Sequence, residues 1–359
     1  MSEAERTGRL VTSLEGAHVD LMLVTNLVNL RYLTGFTGSN GVALVGQGTR
    51  VFVSDFRYVE QAGVEVDKSF DRVTASQDLV AGLAELLPDG DVRLGFESEH
   101  TSVARHNVML ELLPDRVELV PVSQLVEQLR LVKDEHEVKL MAEATRIADD
   151  AFEALLAGGL KGRTERELAL ALEHDMRRRG ASGPSFGSII AAGAHGALPH
   201  AQPRDVAVKD GELVVIDWGA VFDGYCSDCT RTVAVGEIGA QAREAYELVL
   251  SAQLEGLDAV CAGGEGKAID RIVRDIIDEA GHREHYGHGL GHGVGLEIHE
   301  APNLSQRSTS TLAVGNVVTV EPGVYLPGKF GVRIEDLVVV GADGIRILTS
   351  LPKALRVVD

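Results

Sequence analysis

The sequence is poor in cysteine, in basic residues and in long apolar runs. Three cysteines, together with a start (MSEAERTGRL) that lacks the pattern of a secretion signal, argue against a disulfide framework and lead us to expect a cytoplasmic location. The 34 Lys and Arg residues face 54 Asp and Glu residues, which gives a formal net charge of −20. We therefore expect no nucleic-acid partner and no anionic membrane surface. No apolar run reaches the roughly 18 residues of a membrane span.

The length and the rest of the composition are those of a globular protein with two domains. The chain has 359 residues, of which 45% are hydrophobic, whereas a typical domain has roughly 150 residues. The pattern of the sequence changes near residues 122–133. We expect one domain over residues 1–126 and a second domain over residues 127–359.

Short apolar runs alternate with helical patterns in the first domain. Strands are predicted at Leu21–Thr25, Val42–Val45, Val51–Ser54 and Arg93–Phe96, and helices at Ser76–Leu87 and Ser102–Leu113. A proline follows each predicted helix and ends it. This alternation indicates an α/β domain.

The second domain repeats the order of two helices followed by strands. Capping boxes at Asp134/Glu137 and Thr164/Glu167 begin the first two helices. Helical patterns at Ala242–Val260 and Lys267–Ala280 make a second pair. The repeated order indicates an α+β domain with an internal duplication, an inference that rests on element order alone.

Two carboxylates, Asp217 and Asp228, lie in neighbouring apolar runs, and a carboxylate is costly to bury without a partner or a cation. A two-residue turn at Phe222-Asp223 places them directly opposite each other, whereas a turn at Asp223-Gly224 places them diagonally. Either register puts both on one face, where a cation would relieve their repulsion. The alternative is that Asp217 merely ends a strand and Asp228 is solvated.

Glycines occupy every second position of the segment HYGHGLGHGVG, which excludes a stable helix there. In an extended segment, His288 and His292 share a face, and the opposite face has no side chains, so that another backbone can approach. His299 has the other parity and can join the two histidines only through a bend or a bulge. Three histidines within twelve residues favour a functional site over isolated structural roles.

Three further charged residues interrupt apolar runs near the end of the chain. Glu321 follows an apolar strand directly before Pro322-Gly323. Arg333 and Glu335 are two residues apart and so share a strand face, either as a surface salt bridge or, as the apolar flanks favour, as a buried pair.

Together, four carboxylates and one or more histidines predict a site for two divalent metal ions. Cys226 and Cys229 resemble a CxxC motif, but on a strand they point to opposite faces, so we expect no joint metal or redox role. Upstream, His200 ends a loop of small residues. His195 in the same loop fits an exposed structural residue better.

These residues resemble the motifs of the pita-bread metallopeptidases of family M24, which include methionine aminopeptidase, aminopeptidase P and prolidase, with creatinase as a relative that uses no metal. The motifs appear in order as a loop His, D-x-G, D-x-T-R-T, G-H-G-x-G followed by His, E-P-G and R-I-E-D. The first third, with LRYLTGFTGSNG, is similar to the creatinase/prolidase N-terminal domain, which methionine aminopeptidases lack. The resemblance implies an α/β N-terminal domain and an α+β catalytic domain with pseudo-twofold helix pairs on a curved antiparallel sheet.

The resemblance also implies a role for each matching residue. Asp217, Asp228, His292, Glu321 and Glu335 would be metal ligands, with Asp228 and Glu335 bridging both ions and Glu321 doubling as general base or proton shuttle. His200 and His299 would contact the substrate and steady the tetrahedral intermediate. His288 would be a further histidine of the substrate pocket, and Arg333 would orient Glu335 or nearby acids.

The activity implied is that of a dinuclear exopeptidase that cleaves the Xaa-Pro bond in dipeptides or at the N-terminus of peptides, through a hydroxide that bridges the metals. Mn²⁺ is the metal that the resemblance implies, although the ligands also suit Co²⁺, Zn²⁺ or Fe²⁺. The partners expected are a peptide with proline at its second position and a second copy of the chain in a homodimer or larger homo-oligomer. Three alternatives are a metallo-dipeptidase or aminopeptidase without strict proline specificity, a creatinase-like C–N hydrolase, and a non-catalytic binding paralogue.

Overall fold

In the computed structural model, which describes residues 1–76 and 78–359, the chain divides into two units, Met1–Arg130 and Leu131–Asp359. The boundary predicted after residue 126 lies within the last helix of the first unit, Leu125–Arg130. None of the helices among the described residues is long and apolar enough to cross a membrane.

The first unit is built on a mixed six-stranded sheet with the strand order β4-β3-β2-β1-β5-β6. Its strands are β1 Leu21–Val24, β2 Gly41–Gly46, β3 Thr49–Asp55, β4 Asp71–Ala75, β5 Val92–Glu97 and β6 Val117–Val122. Its helices are α1 Glu3–Leu14, α2 Leu27–Thr34, α3 Val59–Glu65, α4 Val103–Leu112 and α5 Leu125–Arg130. The predicted α/β domain, its four strands and the helix at Ser102–Leu113 are confirmed.

The helix predicted at Ser76–Leu87 is wrong for the part that the structure describes, which excludes Gln77. The remainder forms turns and a 3₁₀ turn at Ala84–Leu86. Its backbone bonds, from Leu83 N to Val80 O and from Leu86 N to Leu83 O, span three residues instead of four. Leu79, Val80 and Leu83 are nevertheless buried in the core of the sheet, so packing of these side chains outweighs helical propensity.

The second unit contains two helix pairs, α6 Glu135–Ala157 with α7 Glu165–Arg178 and α8 Ala240–Ala259 with α9 Gly266–Glu279. Both predicted capping boxes are present, at Asp134/Glu137 and at Thr164/Glu167. The second helix of each pair begins next to an isolated antiparallel β-bridge. Thr164 pairs with Ala207 at the start of α7, and Glu265 pairs with Thr311 at the start of α9. This repeated local geometry agrees with the duplication inferred from the element order.

The strands of the second unit form two main sheets, each packed against one helix pair. The first has the order β20-β12-β9-β8, and the second has the antiparallel order β14-β13-β15-β18-β19. The strands are β7 Gly183–Pro184, β8 Ile189–Ala192, β9 Leu213–Trp218, β10 Ala220–Phe222, β11 Tyr225–Cys226, β12 Cys229–Val235, β13 Gly291–Gly293, β14 Glu300–Leu304, β15 Val317–Val320, β16 Gly323–Leu326, β17 Phe330–Arg333, β18 Asp336–Val340, β19 Ile345–Ile347 and β20 Val357–Val358.

Backbone hydrogen bonds join the two halves of this unit where the candidate site lies. Glu335 N donates to Thr230 O at 3.1 Å, which ties the start of β18 to β12. Arg333 N donates to the hydroxyl of Thr232, and that hydroxyl donates to Arg333 O. The segment 333–335 is therefore held against the strand that follows Asp228.

Candidate active site

One cavity of about 440 Å³ in the second unit brings together all nine residues that the sequence analysis singled out. These are His200, Asp217, Asp228, His288, His292, His299, Glu321, Arg333 and Glu335. They come from both halves of the unit and span more than a third of the chain. The acidic residues, His292 and Arg333 lie at the ends or breaks of strands, whereas His200, His288 and His299 lie on loops that border the cavity.

The register of the hairpin that follows Asp217 decides between the two predicted arrangements. Asp217 lies opposite Thr230, and Phe222 lies opposite Tyr225. The turn is Asp223-Gly224, where both residues have positive φ, of 43° and 76°. Asp217 and Asp228 are thus diagonal neighbours on one face. One detail differs from the prediction, since Asp228 lies in the break between β11 and β12 and not within a strand.

The glycine-rich segment is extended around β13, as its spacing predicts. A Cβ on Gly291 would lie 2.0 Å from the carbonyl oxygen of Thr319, so only glycine permits this approach of two backbones. The pairing of β13 with β14 shifts between Gly291 and Gly293. His299 therefore reaches the same cavity as His292, and their ring centroids are 4.3 Å apart.

His292 presents one ring nitrogen to two carboxylates. Its Nδ1 lies 3.0 Å from the carbonyl oxygen of Gly293, so this nitrogen carries the hydrogen and donates it. Its Nε2 lies 3.5 Å from Asp228 Oδ2 and 3.4 Å from Glu321 Oε1. In the neutral ring, the lone pair of Nε2 faces oxygens of two carboxyl groups, an arrangement that a cation between them would stabilise.

Arg333 and Glu335 are buried, so the alternative of a surface salt bridge is wrong. Their exposed fractions are 3% and 1%. The Arg333 guanidinium donates to Asp217 Oδ2 at 2.6 Å and to the hydroxyl of Thr230 at 2.9 Å. The Thr230 hydroxyl donates to Glu335 Oε2 at 2.8 Å. Arg333 thus orients one acid directly and a second through Thr230.

Thr230 and Tyr325 contact the candidate site residues through their hydroxyl groups, and the sequence reasoning missed both. The Tyr325 hydroxyl accepts a hydrogen bond from Arg333 Nη1 at 2.7 Å and lies 2.9 Å from His288 Nε2. Thr230 follows Asp228 by two residues, which is a signal that it shares the face of Asp228. Tyr325 gave no such signal, because it lies in β16 and the sequence analysis did not predict how β16 pairs with β17.

Burial and mutual repulsion raise the pKa values of three of the clustered acids. Burial raises the pKa of Asp228 well above its ordinary value, and the nearby Glu335 and Asp217 raise it further. Burial followed by the charges of Glu321 and Asp217 does the same for Glu335. Burial raises the pKa of Glu321 to about 7, although Arg333 opposes the shift. Such crowding of carboxyl groups is unfavourable unless protons or cations compensate it.

The donor set fits divalent cations. Among the described residues, Asp217 Oδ1 and Glu335 Oε1 are buried side-chain oxygens without a hydrogen-bond partner. Ligand atoms of Asp228, His292 and Glu335 lie within 4.8 Å of one another. Carboxylate oxygens with one imidazole nitrogen are ligands suited to hard and borderline divalent metals.

His195 lies apart from the other histidine candidates and is not the exposed residue that we expected, because its side chain is only 8% exposed. It is absent from the residues described as lining the cavity, and its Nδ1 lies 2.9 Å from Glu165 Oε2. His200, from the same loop, lines the cavity, as predicted. Burial lowers the pKa of His288 to about 4, with the charge of Arg333 next in effect, so His288 is neutral at physiological pH.

Fold and site together define a metallopeptidase with a creatinase-type N-terminal domain and a pita-bread catalytic domain. The profile of the family described as "Metallopeptidase family M24" matches residues 139–342, and that of the "Creatinase/Prolidase N-terminal domain" matches residues 6–132. The chain therefore belongs to metallopeptidase family M24. Membership of this family implies divalent metal ions, in agreement with the donor set.

Similar proteins and solved structures are named as Xaa-Pro peptidases. The chain is 33% identical to the Xaa-Pro dipeptidase of Pyrococcus horikoshii, over 98% of each chain. Among solved structures, an Xaa-Pro dipeptidase from Bacillus anthracis has a TM-score of 0.96 and 40% identity, covering 99% of this chain and 100% of that one. An X-Pro aminopeptidase from Thermotoga maritima has a TM-score of 0.90 and 37% identity, covering 98% and 100%.

Proposed function

We propose that the protein hydrolyses the Xaa-Pro bond in dipeptides or at the N-terminus of short peptides. The observation that carries this proposal is the single cavity in which five metal-ligand candidates lie beside three further histidines. The Xaa-Pro amide is tertiary and conformationally restricted, so its cleavage calls for a dedicated site. The names of the relatives support the same class of substrate.

The proposed metal site consists of Asp217, Asp228, His292, Glu321 and Glu335, with Asp228 and Glu335 bridging. Two divalent ions held there would supply the activated water, the bridging hydroxide of the sequence prediction, and would polarise the scissile carbonyl. Mn²⁺ is our proposal for the native metal, in line with the oxygen-rich ligands.

Glu321 is the proposed proton carrier. Burial raises its pKa to about 7 in the metal-free site, so this carboxyl group can hold a proton near neutral pH when no ion offsets the burial. Thr319 Oγ1 donates to Glu321 Oε1 at 3.2 Å and orients it. Glu321 would accept the proton of the attacking water and deliver it to the proline nitrogen as the amide bond breaks.

The three histidines outside the ligand set would bind the substrate. His200 and His299 are exposed at the cavity, where their N–H groups can donate to the carbonyl oxygen as negative charge develops on it. His288 is held neutral and is fixed by the Tyr325 hydroxyl, so it would position the substrate without adding charge. The cytoplasmic location and the homodimer expected from the sequence belong to the same proposal.

A panel of peptides tests this function. Purified protein loaded with Mn²⁺ should cleave Xaa-Pro dipeptides or Xaa-Pro-Yaa tripeptides, and matched Xaa-Ala peptides at least about tenfold more slowly, because the site is proposed to select the tertiary amide. Release of the free N-terminal amino acid is the measurement. Cleavage of Xaa-Ala peptides at an equal rate would support the metallopeptidase without proline specificity. Turnover that survives a chelator would favour the creatinase-like alternative.

A further inference from the structure

The segment between β8 and β9 carries His200 to the cavity. A 3₁₀ turn at Gly193–Ala197 is its regular structure, and the chain beyond it runs without helix or strand to Arg204. His200 itself is exposed, so packing of its own side chain does not fix its position. Whatever holds this segment therefore sets where the His200 imidazole lies.

The carboxylate of Glu165 binds the segment at both of its ends. Glu165 is the first residue of α7 and is fully buried. Its Oε1 accepts from Ala192 N at 3.0 Å, and its Oε2 accepts from Arg204 N at 2.9 Å. One carboxyl group thus closes residues 192–204 into a loop.

Two side chains of the same loop complete the contacts of Glu165. The Arg204 guanidinium donates to both carboxylate oxygens, at 2.9 Å from Nη2 and 3.0 Å from Nε. His195 Nδ1 lies 3.0 Å and 2.9 Å from the same two oxygens, so it donates to them from the middle of the loop. The two parallel hydrogen bonds from Arg204 fix the orientation of the Glu165 carboxylate and also balance its charge.

These bonds keep Glu165 ionised despite its burial. Burial alone would raise its pKa, but hydrogen bonds from Arg204, Ala192 and His195 lower the pKa overall. Replacement by the neutral amide would remove the charge and would set an N–H₂ group against groups that are themselves donors.

The far side of the loop lies against β17, which ends at Arg333. A Cβ on Gly331 would lie 1.9 Å from the carbonyl oxygen of Gly196, so the two backbones are in direct contact. Arg333 Nη1 donates at 3.2 Å to the carbonyl oxygen of Pro199, the residue that directly precedes His200. The loop is thus held by Glu165 on one side and by the strand of the candidate site on the other.

We propose that Glu165, together with His195 and Arg204, is a positioning residue that holds the 192–204 loop so that His200 reaches the scissile carbonyl. This inference rests on the function proposed for His200. The same proposal assigns a role to His195. Its hydrogen bonds to Glu165 hold the middle of the loop in place, and it is not proposed to contact the substrate.

Amide hydrogen exchange tests the loop contact independently of activity. In Glu165→Gln, amides of the non-proline residues within 193–204 should exchange at least about tenfold faster than in the parent, because bonds that tether the loop are lost. Glu167→Gln is the matched control, since Glu167 lies in the same first turn of α7 but bonds only to Thr164 among the contacts described for it. Unchanged exchange of the loop in Glu165→Gln, or an equal change in Glu167→Gln, would overturn the proposal.

A double-mutant cycle then tests whether Glu165 acts through His200. Glu165→Gln should lower kcat on the best Xaa-Pro peptide on the order of tenfold or more, because a displaced catalytic group loses alignment, while the Mn²⁺ Kd changes less than about twofold. In a His200→Ala background, the same substitution should change kcat less than about twofold. A full effect in both backgrounds, or a loss of metal affinity, would refute the positioning role.

Arg204→Gln provides a second variant if Glu165→Gln does not fold, because the Arg204 side chain is 45% exposed and its loss spares the core. It should give the same faster exchange of the loop and the same dependence on His200, and the absence of both would refute the proposal. If the parent protein cleaves no Xaa-Pro peptide, the proposed function fails, whereas the exchange comparison still decides whether Glu165 holds the loop.

Discussion

Asp228→Asn and Glu335→Gln should each remove most of the bound metal and lower turnover of Xaa-Pro peptides by more than about a hundredfold. Loss of an outer partner of a metal site already costs about 10–100-fold, and these two residues are proposed to touch both ions. Each substitution keeps the size of the side chain but replaces an anionic oxygen by a nitrogen that cannot ligate. Metal content by mass spectrometry and kcat/KM of the same samples are the measurements.

The chain offers a matched control on the same hairpin. Asp223→Asn makes the same chemical change in the turn of that hairpin, where the φ of 43° is one that Asn also tolerates. We expect this variant to keep its metal content and its turnover. Normal turnover and full metal content in Asp228→Asn or in Glu335→Gln would contradict the bridging roles.

Metal affinity should rise with pH as the pH climbs toward about 7, the pKa of Glu321 in the metal-free site. Burial and neighbouring carboxylates raise the pKa of Asp228 and of Glu335, and burial raises that of Glu321 to about 7, so the metal-free site binds protons that an incoming ion must displace. Each displaced proton contributes about tenfold in affinity per pH unit. Calorimetric titration with Mn²⁺ at several pH values measures this slope, and a flat profile would contradict the shared protons.

Stability of the metal-free protein should change in the opposite direction over the same window. The folded state keeps protons on these acids above the pH at which the unfolded chain releases them, so the free energy of unfolding falls as pH rises through the folded pKa values. The buried histidines act in the opposite direction, because burial lowers the pKa values of His288, His292 and His299, so the acids are best isolated by comparison with a variant that lacks one of them. The Tm of the metal-free parent should therefore fall relative to that of metal-free Glu335→Gln as the pH rises toward about 7, and excess Mn²⁺ added to the parent should suppress this fall. A Tm difference that does not change with pH would contradict the raised pKa of Glu335.

Strand parity predicted the acidic half of the site well, because it depends on local geometry. A two-residue turn fixes which residues of a hairpin share a face. The sequence left open whether Asp217 and Asp228 are directly opposite or diagonal, and the Asp223-Gly224 turn makes them diagonal. The capping boxes at Asp134 and Thr164 were predictable for the same reason, since each joins residues three positions apart.

Long-range packing accounts for what the sequence reasoning missed. The segment at Ser76–Leu87 has helical spacing. In the structure, however, tight turns bring Leu79, Val80 and Leu83 into the core of the sheet without a helix. Tyr325 reaches His288 and Arg333 from the hairpin of β16 and β17, whose pairing the sequence analysis did not predict. The bonds of Glu165 to both ends of the His200 loop span up to 39 residues, and no sequence periodicity reports such contacts.

Anomalous diffraction from crystals grown with Mn²⁺ would test the central claim most directly. We predict two anomalous peaks inside the cavity, each within ligand distance of its proposed carboxylates, with Asp228 and Glu335 touching both and His292 touching one. A single peak, peaks outside the cavity, or an occupied cavity in which Asp217, Asp228 and Glu335 bind no ion would contradict the dinuclear site.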